Sequence, residues 1–243
     1  DMDGVLIDTS SSYDETIKAT VIQLGGQPVT NQAIFELKDK GGYNNDWLVA
    51  QALLSEQNIQ IDLQTVTDAF QKLYLGENND GLIANETPLI NPSLVKLINS
   101  SKSCQFAIVT GRPSAEAELG KTLIGLSQLP SLGMDQVEQP KPSPEGIEKL
   151  QCQYSKLSWM CGDNPDDMQA ANGSNSLAIG IGKRNAEALY QAGADIVLES
   201  INELENWLWI KWIRFISASN SLTIAAVTKE TQKRFTNRVL ISF

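Results

Sequence analysis

From residue 106 to residue 198 the sequence alternates short apolar runs with stretches of helical periodicity, and this alternation limits the fold more than any other feature. The mostly apolar runs cover residues 106–109, 157–161, 177–181 and 195–198. Between and after them lie helical patterns at 113–126, 143–150, 165–172, 185–192 and 201–207. Short apolar strands alternating with helix-length connections predict a parallel sheet with helices on both faces. The fold class is therefore α/β and Rossmann-like. In such sheets a ligand binds at the carboxyl ends of the strands.

Residues 10–78 follow a different rule. Ile17, Val21 and Leu24 share one face of a helix that stops at Gly25-Gly26, and Ser12 with Glu15 has capping-box spacing. Further helices are expected at 30–40, 47–57 and 63–75, with no strand among them. Val5-Leu6-Ile7-Asp8 reads as a strand end or flap, and Asn91-Pro92 as the cap of another helix. The expected division is a catalytic core of residues 1–9 and 86–208, an inserted α-helical cap of 10–85, and a C-terminal extension of 209–243. That extension holds Lys211, Arg214, Lys229, Lys233, Arg234 and Arg238 against Glu230 alone. It could be a docked helix over 209–216 with strands at 224–227 and 239–243, or an appended tail.

The 243-residue chain has a net charge of −10, which argues against nucleic acid or an anionic membrane as partner. No apolar run reaches the length of a membrane span. Histidine is absent, so Ser-His-Asp and Cys-His triads and His-ligated zinc are excluded. Three cysteines without CxxC spacing suit a reducing cytoplasm. Proton transfer falls to carboxylates, lysine or water, and any metal is a hard ion on oxygen ligands, with Mg2+ favoured.

Four motifs lie at expected strand ends or in the loops that lead into helices. Asp1-Met2-Asp3-Gly4 places two carboxylates two residues apart before a glycine, a pattern for a nucleophile and a proton donor, or for an acidic turn or part of a calcium loop. In Ile108-Val109-Thr110-Gly111-Arg112, the Thr110 hydroxyl and Gly111 N–H can bind phosphoryl oxygen, or Thr110 can cap the next helix. Lys141 sits between two prolines and is either a fixed cation for phosphoryl oxygens or a solvated loop lysine. Asp163 and Asp167 are four residues apart, where one can bind a metal and the other orient it or Lys141. They could also simply favour a helix N-terminus, the role expected of Asp166.

In order and spacing the four motifs resemble those of the haloacid dehalogenase-like superfamily, over roughly residues 1–208. The resemblance implies that Asp1 is nucleophile and Mg2+ ligand, and that Asp3 is general acid/base with its backbone carbonyl on the metal. It implies that Thr110, Gly111 and Lys141 bind phosphate, and that Asp163 ligates Mg2+ with Asp167 in support. The helical insertion is similar to the cap of phosphoglycolate phosphatase-like members. Its specificity segment would be Lys40 to Trp47, with Gly42, Tyr43, Asn44 and Asn45 facing substrate. Arg112 is expected either to meet substrate or to pair with an acid at the cap interface. The implied activity is Mg2+-dependent hydrolysis of small phosphorylated metabolites through an aspartyl-phosphate. A phosphomutase, a dehalogenase or a non-catalytic binding domain on the same scaffold are the alternatives. Two departures stand out. The family has an apolar strand before its first aspartate, so a preceding strand is expected outside this sequence. Ile224 to Thr231 also resembles the opening strand of imidazoleglycerol-phosphate dehydratase, which would make the chain one end of a fusion and histidinol phosphate a substrate to test.

Overall fold

The computed structural model describes residues 1–102, 104–154 and 158–206. The expected extension at 209–243, its helix and its strands lie outside the described residues.

The chain opens with a tight turn at Gly4, where φ is +66°, a backbone conformation that glycine adopts without strain. Strand β1 (Ile7–Asp8) then pairs antiparallel with β2 (Thr87–Pro88), so the flap reading of this stretch holds as a two-residue ribbon. Between them come α1 (Tyr13–Gln23), α2 (Asn31–Lys38), α3 (Asp46–Glu56) and α4 (Leu63–Leu75). Thr30, Asn45 and Asp62 cap the last three through their side chains, satisfying amides that the helix start leaves free. Ser12 forms no capping box, because its hydroxyl turns inward to Thr9 and Glu86.

These four helices bury a cluster of their own. Tyr13, Ile17, Val21, Leu54, Phe70 and Tyr74 are among its members, and the rings of Tyr13 and Tyr74 stack at 4.3 Å. Burying a large side chain of this kind contributes roughly 1.5–3 kcal/mol.

The remainder is α/β. After α5 (Pro92–Ser100), β3 (Ile108–Val109) leads through α6 (Ser114–Leu123) to β4 (Ser131–Leu132), its parallel partner. Then α7 (Glu145–Gln153), β5 (Trp159–Gly162), α8 (Pro165–Gly173), β6 (Leu177–Ile181), α9 (Ala186–Gln191) and β7 (Ile196–Leu198) form a second parallel sheet in the order β5-β6-β7. All five residues of β6 are buried, as expected of a central strand covered on both faces. The short β4 is absent from the sequence reading, since Pro130-Ser131-Leu132-Gly133 has no apolar run to mark it.

The segment Asp1–Asp3 runs between the two parallel sheets. Asp1 N donates to Cys161 O of β5 at 2.7 Å. On the other side Lys141 Nζ, 2.9 Å from the Asp1 carboxylate, reaches Val109 O of β3 at 3.5 Å. The strand ends β3 and β5, which carry Thr110 and Asp163 as their next residues, therefore converge on Asp1.

Candidate active site

Lys141 is the centre of the buried charge. Its Nζ lies 2.9 Å from Asp1 Oδ1 and 2.5 Å from Asp167 Oδ1, and all three side chains are at most 4% exposed. The solvated-lysine alternative is therefore excluded. Asp167 Oδ2 in turn accepts from Asn164 N at 3.1 Å, which fixes the carboxylate in the first turn of α8. Asp1, Asp163 and Asp167 each bring one carboxylate oxygen within 4.8 Å of the others. Gly4 and Gly162 permit this crowding, since a Cβ on Gly4 would strike the Asp163 carboxylate and one on Gly162 the Asp167 side chain.

Burial, and next the charge of Asp167, pushes the Asp163 carboxyl up to about 7. Three converging carboxylates against one lysine leave an excess of negative charge. An all-oxygen set of this charge fits a hard divalent cation such as Mg2+. The carboxylate of Asp3 stands apart from the set, and Asp3 belongs to it at most through its backbone carbonyl.

The pH dependence of stability checks this. Between the ordinary carboxylate value of 3.8 and about 7, the folded chain holds a proton on Asp163 that the unfolded chain has released. Stability of the metal-free protein is therefore expected to fall as pH rises through that window. A divalent cation held by these carboxylates would offset the fall, because it would bind the ionised form. Thermal melts from pH 4 to 8 in EDTA and in Mg2+ measure this, and Asp163→Asn should flatten the slope. An unchanged slope in that variant would contradict the assignment.

Thr110 is 3% exposed, and its hydroxyl oxygen accepts from Arg112 N at 3.2 Å. It follows Val109, whose carbonyl Lys141 Nζ reaches at 3.5 Å. Pro113 takes the helix-cap position instead of Thr110. Gly111 abuts Asn44 closely enough that a Cβ would clash with it.

A narrow cleft opens next to these groups, lined by Asp3, Asn44, Asn45, Asp46, Trp47, Gly111, Arg112 and Glu116 among others. Asn44, Asn45, Asp46 and Trp47 of the 40–47 segment line this cleft, and the members of the segment make different contacts. Gly42 N donates to Asp166 Oδ1 at 2.7 Å, Tyr43 packs on the helical cluster, and Asn45 caps α3. Asp166 is accordingly more than helix-terminus charge, since it is 1% exposed and ties the segment to the Asp163–Asp167 loop. Arg112 lines the cleft, and its donors go to Asp3, Glu86 and Tyr74, as in the acid-pairing alternative.

Sequence reasoning missed Glu86, Glu116 and Lys38. Lys38 bridges Asp46 at 2.8 Å and Asp14 at 3.3 Å. Burial alone would lower its pKa, but these two carboxylates hold it well above the usual lysine range. Burial raises the Asp46 and Glu116 carboxyls. Nothing in the sequence around these residues distinguishes them from solvated helix charges.

Residues 1–181 match the family model described as haloacid dehalogenase-like hydrolase. Among curated proteins, the imidazoleglycerol-phosphate dehydratase of Phytophthora nicotianae is 32% identical over 191 residues, covering 74% of this chain. The chain spans 42% of that relative's length. Among solved structures, a predicted phosphoglycolate phosphatase of Haemophilus somnus superposes with a TM-score of 0.67 at 17% identity, over 85% of this chain and 95% of that one. A hydrolase of Pseudomonas syringae gives 0.67 at 19%, over 86% and 96%. At these identities the two structures establish the shared α/β fold. Among the described residues no helix is long and apolar enough to cross a membrane.

Proposed function

Because the chain belongs to the haloacid dehalogenase-like hydrolase family, we propose that it is a Mg2+-dependent phosphatase of small phosphorylated metabolites working through an aspartyl-phosphate on Asp1. The observation that carries this reading is the Asp1 carboxylate, buried against Lys141 and within metal-binding reach of Asp163 and Asp167. A bound Mg2+ would neutralise charge on the phosphoryl oxygens, and Asp1, Asp163 and Asp167 would hold it.

The chain's own residues then account for the steps. Lys141, with the Thr110 hydroxyl and Gly111 N–H, orients the phosphoryl group. An Asp1 oxygen forms a bond to phosphorus as the bond to the alcohol oxygen breaks, and the alcohol leaves with the proton of Asp3. Water then gives a proton to Asp3 and its oxygen to phosphorus, releasing phosphate and restoring Asp1. The helical cap and its Gly41-Gly42 segment exclude bulk water and select the alcohol.

The cleft narrows the substrate class. Its lining residues include the acids Asp3, Asp46 and Glu116, of which Asp3 is paired with Arg112 and Asp46 with Lys38, and one cation, Arg112, that has no donor to spare. This lining suits a monoester whose alcohol part is neutral or cationic, and disfavours a second anion.

The test is release of inorganic phosphate from p-nitrophenyl phosphate, which is expected to require Mg2+ and to stop in EDTA. 2-Aminoethyl phosphate is expected to exceed phosphoglycolate in kcat/KM by about tenfold or more. Equal turnover with and without metal would overturn the mechanism, and a preference for phosphoglycolate would overturn the specificity. A fusion to a dehydratase domain is supported by the name of the Phytophthora relative and by the Ile224–Thr231 resemblance. Reading the coding sequence that follows Phe243 tests it.

A further inference from the structure

We infer that Arg112 is a positioning residue for Asp3, and that Glu86, at the junction of cap and core, sets Arg112; this rests on the phosphatase reading above. Arg112 is 1% exposed, and each of its five N–H groups has an acceptor. Nε and one Nη2 hydrogen go to Asp3 Oδ1, at 2.8 and 2.5 Å. The second Nη2 hydrogen goes to Glu86 Oε1 at 3.0 Å, and the Nη1 hydrogens go to Glu86 Oε2 at 3.1 Å and Tyr74 Oη at 3.3 Å. A planar guanidinium filled in this way has one orientation and cannot turn to a ligand.

Both bonds to Asp3 end on the same oxygen. Oδ1 is thereby pinned, and the proton given to the departing alcohol is carried on Oδ2. Asp3 itself is 28% exposed at the side chain, so packing alone does not fix its rotamer. Arg112 supplies the fixation that its surroundings lack.

Glu86 is the other anchor. It precedes β2, the strand by which the chain returns from the helical cap to the core. Its Oε1 also accepts from Tyr74 Oη at 2.7 Å and Ser12 Oγ at 3.2 Å, both from the cap side. The Tyr13 ring lies 5.1 Å from the guanidinium carbon. One buried network therefore joins the cap, its junction with the core and the proton donor. The angle at which Asp3 meets the leaving oxygen depends on the position of that junction.

A misplaced proton donor harms poor leaving groups more than good ones, whereas a loss of folded protein harms both equally. The test is kcat/KM for phenyl phosphate and p-nitrophenyl phosphate, two esters of one shape and different leaving-group acidity, with Glu86→Gln and Arg112→Lys. Each variant is expected to lose about tenfold more on phenyl phosphate than on p-nitrophenyl phosphate, in the same sense as Asp3→Asn. The ratio of the two substrates is independent of the active fraction, so partial misfolding does not confound it. An unchanged ratio in both variants would overturn the inference while leaving the phosphatase reading intact. No turnover of either ester by the unaltered chain would overturn that reading and the inference with it.

Discussion

Asp1→Asn is expected to lower turnover of p-nitrophenyl phosphate by about 10^4-fold or more, while the protein stays folded. The asparagine is close to isosteric, so the packing around it should survive. What disappears is the charge and the nucleophilic oxygen. A neutral amide cannot form the ester to phosphorus, and one of the three converging carboxylates is lost to any metal. A merely electrostatic Asp1 would show a different pattern, with Mg2+ affinity weakened and residual turnover recovered at high Mg2+. Titrating Mg2+ against the variant separates the two.

The second large effect is on stability. Lys141 stands between Asp1 and Asp167, with all three side chains almost fully buried. Lys141→Met keeps the shape of the chain but leaves two carboxylates facing each other without a cation. Breaking a buried ion pair from one side costs about 3–5 kcal/mol. Urea unfolding in EDTA is expected to show a loss of that size. Mg2+ should recover part of it, because the cation replaces the missing charge. Turnover should fall by about 10^2- to 10^3-fold even with Mg2+ present, since the fixed cation on the phosphoryl oxygens is gone. A variant as stable as the parent in EDTA would show that Lys141 is not the partner of both carboxylates.

These expectations depend on a convergence of residues that is largely legible in the sequence. Asp163 and Asp167 lie at a strand end and a helix start that an apolar run and a proline mark, and the backbone brings them to Asp1 and Lys141. The α/β alternation was legible for the same reason, since central strands such as β6 are continuous apolar runs. The two-residue β4 was not, because it forms only where β3 offers it an edge.

The partners of the site were much harder to read. Glu86 sits in Asn85-Glu86-Thr87, an ordinary polar junction, and becomes the buried counterion of Arg112 only through tertiary packing. Asp166 reads as helix-terminus charge until the Gly42 amide is seen to reach it. Ser12 reads as a cap until Glu86 is found beside it. Long-range polar pairing of this kind leaves no periodic trace in a sequence, whereas burial on a strand or helix face does.

The central claim is a covalent phosphoryl group on Asp1, and acid-quenched mass spectrometry of the enzyme during turnover reads it most directly. The predicted result is an adduct with the mass of one phosphoryl group, mapped to the peptide that contains Asp1 and absent from Asp1→Asn. Steady release of phosphate with no such adduct at any quench time, and with activity retained by Asp1→Asn, would contradict it.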